Sequence, residues 1–169
     1  MKDFQSISGI TVSINDFFTA PGEMGCYKLI SIQKMDGEIA NFVVSPETYF
    51  VDHVMVRTGD MVTGFYDANA PTPLIYPPQY QAIVMARAVP HQNVKVDFFN
   101  EDLVSSDGML KLNIAPSTQI VLENGQSFTG NPACRYLVVV YGPATRSIPA
   151  QTTPEQIVVF CKKIAGLFP

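Results

Sequence analysis

Two apolar runs flanking a proline-rich stretch occur twice in this chain. The first pair covers residues 61–66 and 82–86; the second covers residues 135–141 and 156–160, with a loop at 142–154 between them. Short apolar runs bounded by Gly, Pro and Asn read as strands. Elsewhere apolar and polar positions alternate with period two, as in Ile10, Val12 and Ile14, in Ala40, Phe42 and Val44, and in Leu110, Leu112 and Ile114. Further strands are expected at residues 27–34, 49–51, 94–99 and 120–121. Asp36-Gly37 and Asp107-Gly108 predict tight hairpins with primed turns, and Asn124-Gly125 a further turn.

The order of these signals suggests an internal repeat. Phe42 answers Leu112, Pro46 answers Pro116 and Val51 answers Val121 at one constant separation. The separation drifts further on, where Tyr66 meets Tyr141 and Ile83-Val84 meets Ile157-Val158, as loop insertions allow. Residues 1–22 are expected to form an N-terminal strand or strap, with residues 10–14 as an edge strand and Phe17 and Phe18 lying over the main body. Residues 23–89 and 90–169 would be the two units. Residues 153–167 admit two readings. Thr153-Pro154-Glu155-Gln156 has the form of a helix start, while the adjacent valines Val158 and Val159 favour a strand to about Cys161 with a helical turn beyond it.

Composition narrows the function classes. Apolar residues make up 47% of the 169 and charged ones 15%, so the chain folds and has enough length to bury a core without staples. The net charge of −4, with no Lys/Arg cluster beyond Lys162-Lys163, disfavours nucleic acid as the obligatory partner. No apolar run approaches the length of a membrane helix and the first residues lack a signal-peptide core, so a cytoplasmic protein with no membrane partner is expected. Cys26, Cys134 and Cys161 have no metal or redox spacing and are expected as buried thiols. His53 and His91 have no partner at a ligand spacing, so no metal and no cofactor is expected.

A long first hairpin, a short third strand, a Gly-Asp approach to a fourth and a looped return to a fifth resemble the OB-fold, a five-stranded Greek-key barrel. The resemblance, in strand order alone, covers residues 23–90 and 81–161. It implies an all-β protein of two tandem OB-like units with little helix. The segment 141–154 also resembles part of an uncharacterised bacterial family, which implies no activity. In OB-folds the loop between strands four and five takes ligands. Here that implies Asp67, Asn69, Tyr76 and Tyr80 in the first unit, and Thr145, Arg146, Gln151 and Thr152 in the second.

The chemistry of these residues supports several uses. Tyr76 and Tyr80 flank Pro77-Pro78 and would stack on a base, a sugar or a partner, or fold back over the core. Arg146 would fork onto a carboxylate or phosphate, or tie its loop to backbone carbonyls or to a neighbouring subunit. No nucleophile elbow or phosphate-cradling loop is present. The expectation is a non-enzymatic binding or assembly module, with self-association or a protein partner foremost. The alternatives are a single-stranded nucleic-acid or oligosaccharide binder, and an enzyme with Asp60 and Asp67 converging between the units.

Overall fold

The computed structural model describes residues 2–18 and 20–161. The protein is all-β, and the chain divides into two compact units, Met1–Ala88 and Val89–Pro169. The first unit contains β1 (Phe4–Asp16), β2 (Lys28–Gln33), β3 (Ile39–Val44), β4 (Tyr49–Phe50), β5 (Met61–Asp67), β6 (Gln79–Gln81) and β7 (Val84–Arg87). The second contains β8 (Asn93–Phe99), β9 (Leu110–Leu112), β10 (Gln119–Leu122), β11 (Arg135–Tyr141), β12 (Ala150–Thr152) and β13 (Gln156–Val159). Two single 3-10 turns, Pro21–Glu23 and Val51–His53, are the only helical elements among the described residues.

In the first unit the strand order is β4-β7-β5-β1-β2-β3-β6. β3 and β4 follow one another in sequence, as do β6 and β7; β3 runs parallel to β6, with Phe42 beside Tyr80, and β4 parallel to β7, with Tyr49 beside Val84. The two ends of the order are thus joined by the chain itself, and the pairings form a circuit. The alternation read from the sequence now has a destination. Ile30, Ile32, Ala40, Phe42, Val44, Val62 and Met85 point to one side and form the core, with Ile7, Ile14 and Tyr66 packed at its margin.

The N-terminal strand departs from its expectation as an edge or strap. β1 runs 13 residues and lies inside the sheet. Its first half pairs with β5, from Phe4 opposite Asp67 to Ile10 opposite Met61; its second half pairs with β2, from Ile10 opposite Gln33 to Asp16 opposite Lys28. A register shift between Thr11 and Ser13 lets it turn from one neighbour to the other. Ser6 and Ser8 mask the alternation, because a polar residue on the solvent face looks like loop composition. Phe18 is exposed and covers nothing.

The second unit has the order β10-β13-β11-β8, with β12 and β9 as a separate parallel pair. Four of the six pairings of the first unit recur. β4 with β7 and β10 with β13 are parallel; β5 with β7 and β11 with β13 are antiparallel; β3 with β6 and β9 with β12 are parallel. β8 pairs with β11 as the first half of β1 pairs with β5. Residues 94–99 therefore answer the start of β1. The place of β2 is taken by two bridges alone, Phe99 to Ser105 and Val104 to Lys111. Phe99, Leu110, Leu112, Leu137, Val139, Ile157 and Val159 make this core. The segment at 156–159 is a strand, so the helix start at Thr153-Pro154 is not used; positions beyond 161 lie outside the described residues.

The matched proline segments close the same hydrogen bonds. Thr48 Oγ1 accepts from Ser45 N (3.0 Å) and donates to Ala82 O (2.8 Å); Thr118 Oγ1 accepts from Ala115 N (3.3 Å) and donates to Pro154 O (2.7 Å). The Asp-Gly turns differ in kind from the primed form. Gly37, Gly108 and Gly125 have positive φ, but the residues before them do not, and each glycine N–H bonds the carbonyl three residues back. A type I turn followed by a left-handed glycine has this pattern. Asp36, Asp107 and Asn124 cap these turns, each accepting from the N–H two residues on.

Side-chain volume is redistributed between the two cores. A Cβ on Gly64 would lie 2.5 Å from the Phe42 ring, so this glycine is empty space that the ring fills. By register, the matching pair in the second unit is Val139 and Leu112, a smaller side chain facing a larger one. Gly64→Val in the first unit is expected to cost about 1–3 kcal/mol through overpacking, and Phe42→Leu added to it should recover much of the loss. Urea unfolding of both variants measures this; equal losses for the single and double variants would contradict it. Thr11 Oγ1 is buried with no hydrogen-bond partner among the described residues, so Thr11→Val should be neutral or stabilising in the same assay.

Candidate functional site

The first loop, residues 68–78, leaves β5 from a fixed point. Asp67 is buried, and its Oδ1 accepts from Asp3 N (3.1 Å) and Asn69 N (3.0 Å) while Lys2 Nζ stands 3.5 Å from Oδ2. This carboxylate ties the N-terminus to the loop's first turn and is spent there. Asn69 takes part in that turn through its backbone.

The two tyrosines divide. Tyr80, on β6, is half-buried; its ring lies 4.2 Å from that of Tyr66 and 5.8 Å from that of Phe42. It caps the core margin, the fold-back role considered for it. Burial raises the Tyr66 phenol above its ordinary range, with Tyr80 and Asp3 adding to the effect. Tyr76 instead is 77% exposed, and its hydroxyl donates to the Glu38 carboxylate at the end of the β2–β3 turn. That hydrogen bond, with the charges of Glu38 and Asp36, raises its pKa. Leu74 and Ile75 precede it and are also exposed, as is Met35 in the neighbouring turn. The loop tip is therefore an apolar prominence, Leu74-Ile75-Tyr76, with acidic groups beside it. Sequence reasoning picked the tyrosine and missed the aliphatic pair, although two large apolar residues between prolines and outside any alternation were a usable signal.

The second loop, residues 142–149, is knotted to itself. Thr145 N donates to Gln151 O and Gln151 N to Thr145 Oγ1, both at 2.9 Å. Thr145 and Ser147 share a hydroxyl contact at 2.7 Å, Ser147 Oγ donates to Pro149 O, and Thr152 Oγ1 to Pro143 O. Asn113 Nδ2 reaches Gln151 Oε1 at 3.2 Å. Thr145, Gln151 and buried Thr152 thus hold the loop's shape. Arg146 does not: it is exposed and makes no hydrogen bond or ion pair among the described residues. With Ile148, 81% exposed, it forms the tip. Both loops carry a cis peptide, before Pro77 and before Pro149.

A polar cluster that the sequence did not announce lies in the second unit. Lys95 Nζ and Ser105 Oγ each sit 2.6 Å from Asp107, while Asp97, buried on β8, accepts from Ser106 Oγ and from Phe98 N. Burial works against the charge on Asp107, but Lys95, Ser105 and the Met109 N–H together outweigh it, holding the carboxyl below its ordinary value. Tyr141 borders the cluster; burial raises its phenol, opposed by Lys95 and assisted by Asp107. Every member is satisfied by another, which suits a turn-holding network.

Asp60 and Asp67, the two carboxylates considered for catalysis, are each used locally, Asp60 Oδ2 accepting from Arg57 N at 2.8 Å. No group of three His, Cys, Asp or Glu side chains that could hold a metal occurs among the described residues. The cysteines were expected to be buried, and all three are exposed. Cys26 lies in a turn between β1 and β2, and Cys134, with φ of 59°, in the turn before β11, where no core face is available to cover them. No helix among the described residues is long and apolar enough to cross a membrane.

Two titrations check this geometry. Glu38→Gln removes the charge that holds the Tyr76 proton, so ultraviolet titration should show one phenol ionising at lower pH than in the wild type; an unchanged curve would mean the contact does not persist in solution. Asp107 has a depressed folded-state pKa, so its stabilisation is present above the unfolded-state carboxylate pKa and lost as pH falls through the lower folded-state value. Asp107→Asn should therefore lower the unfolding free energy near neutral pH, by less than about 1 kcal/mol for so exposed a pair, and converge with the wild type in acid, as urea unfolding at both pH values would show.

A scan against protein-family models gives no match to this chain, and searches of curated proteins and of solved structures give none.

Proposed function

We propose that this chain is a non-enzymatic binding or assembly module made of two OB-like barrel units, the second with a reduced second strand, that arose by duplication of one ancestral unit. Support for the duplication is the recurrence of four of the first unit's pairings and of the threonine clips of Thr48 and Thr118 in the same order. Support for the OB-like form is the circuit of pairings in the first unit, with one long strand shared between two neighbours and parallel contacts of β3 with β6 and β4 with β7.

The observation that carries the binding role is the loop tip at residues 74–76. Three large side chains are held in solvent by a loop that is anchored at both ends, by Asp67 at one and by the Asn41 N to Pro78 O bond at the other. Exposed apolar side chains on a fixed support suit a protein partner, since binding costs less ordering entropy when the contact residues are already in place. The second loop offers the same kind of tip in Arg146 and Ile148. A nucleic-acid role is the weaker reading, because the exposed ring of Tyr76 sits beside Glu38 and Asp36, which repel phosphate.

A photo-cross-linking residue placed at position 74 tests the assignment. Discrete protein adducts in cell extract, absent when the same group replaces exposed Asn124, are the expected outcome; adducts equal at both positions would remove the loop from the binding surface. A labelled oligothymidylate titrated at low salt is expected not to bind, and saturable binding that weakens with salt would replace the protein-partner reading with the nucleic-acid one.

A further inference from the structure

β1 is paired along only part of its second edge. Residues 10–16 meet β2 there, whereas residues 5–9 have β5 as their only ladder partner among the described residues. The direction of the spare groups follows from the ladder. Asp3 O accepts from Ala68 N, and Thr11 exchanges bonds with Asp60 O and Gly59 N, so odd-numbered residues turn their backbone toward β5. Ser6 and Ser8 then aim N–H and C=O the other way, and no backbone partner meets them among the described residues.

The corresponding edge of the second unit is protected. On β8, Lys95 pairs in register with Val139 and Asp97 with Leu137, and both charges are held inward, on Asp107 and Ser106. Inward-turned charges on an edge strand resist the approach of another strand. In β1 the same register positions are Ile7, opposite Gly64, and Gly9, opposite Val62. Residues 4–9, Phe-Gln-Ser-Ile-Ser-Gly, contain neither a charge nor a proline.

We infer that this unprotected edge is an interface, completed by the same edge of a second copy of the chain in antiparallel pairing. A twofold axis at Ile7 sets Ser6 of one copy opposite Ser8 of the other, so the groups that point outward meet each other and no like charges are brought together. The outer face next to this edge adds apolar area, since Ile10 and Met61 lie side by side there and are exposed, with Val12 beyond them. The contact is isologous and closes at two copies. It rests on the strand edge and is independent of the loop reading above.

The full chain in reducing buffer, followed by light scattering over a wide concentration range, is expected to show twice the chain mass and to dissociate on dilution. Ser6→Lys places like charges beside the axis while leaving the β5 ladder intact, and should give the single-chain mass with an unchanged circular dichroism spectrum. Tyr76→Ala, which alters only the loop tip, should leave the mass doubled. A wild-type protein of single-chain mass at every concentration, or a Ser6→Lys protein that stays double, would overturn the inference. Should Ser6→Lys fail to fold, amide exchange of the wild type decides: Ser6 and Ser8 amides must gain protection as concentration rises, and exchange that ignores concentration would equally overturn it.

Discussion

The backbone hydrogen-bond ladder of β1 is the constraint on which the first unit depends. β2 and β5 do not pair with one another; each finds its missing partner on a different half of the same strand. An apolar interior leaves no water to satisfy an unpaired N–H or C=O, so both strands need β1 in place before either can bury its inner face. The register shift after Thr11 is what lets one strand serve two neighbours. The close approach at Gly9, where a Cβ would lie 2.4 Å from Gln33 O, marks where the change of partner occurs.

The second unit meets the same requirement with less chain. β8 reaches β11 directly, and a two-residue bridge segment at Val104 and Ser105 stands where β2 stands in the first. Its polar cluster around Asp97 and Asp107 then holds the turn that follows, with hydrogen bonds in place of the six-residue ladder. The aromatic margin of the first unit, Phe42, Tyr66 and Tyr80, becomes Leu112, Tyr141 and Thr152 in the second, by the same registers. Matched positions of the two units thus differ in volume and polarity under shared pairings, as cores accommodate different side chains when neighbouring volumes compensate.

Much of the strand content was readable because the apolar periodicity is strong where one face is buried. Residues 135–141 became β11 unchanged, and the alternation at Ala40, Phe42 and Val44 became a core face. What could not be read has physical causes. β1 carries serines on its solvent face and glycine at its close approach, so its inner face shows too few large residues to announce a strand. β6 and β12 are three residues long and held by parallel bonds to distant partners, which leave no local signature. At the site, the hydroxyl and amide side chains of Thr145 and Gln151 advertised ligand chemistry but serve the loop's own shape, because a proline-rich loop short of backbone donors satisfies its carbonyls with side chains. Exposure, which separates Tyr76 from Tyr80, depends on pairing partners far away in sequence and is not local information.

The distance along the chain between β1 and β5 bears on how the protein emerges from the ribosome. The ladder partner of residues 4–10, β5, ends at Asp67, so at ordinary elongation rates this half of β1 waits on the order of 3–10 s for its ladder, whereas the other half meets β2 early. During that interval a segment with neither charge nor proline is exposed beside its copies on neighbouring nascent chains. Crowding on one messenger would then favour pairing between chains before pairing within them, and the spacing of ribosomes becomes a variable in the yield of folded protein.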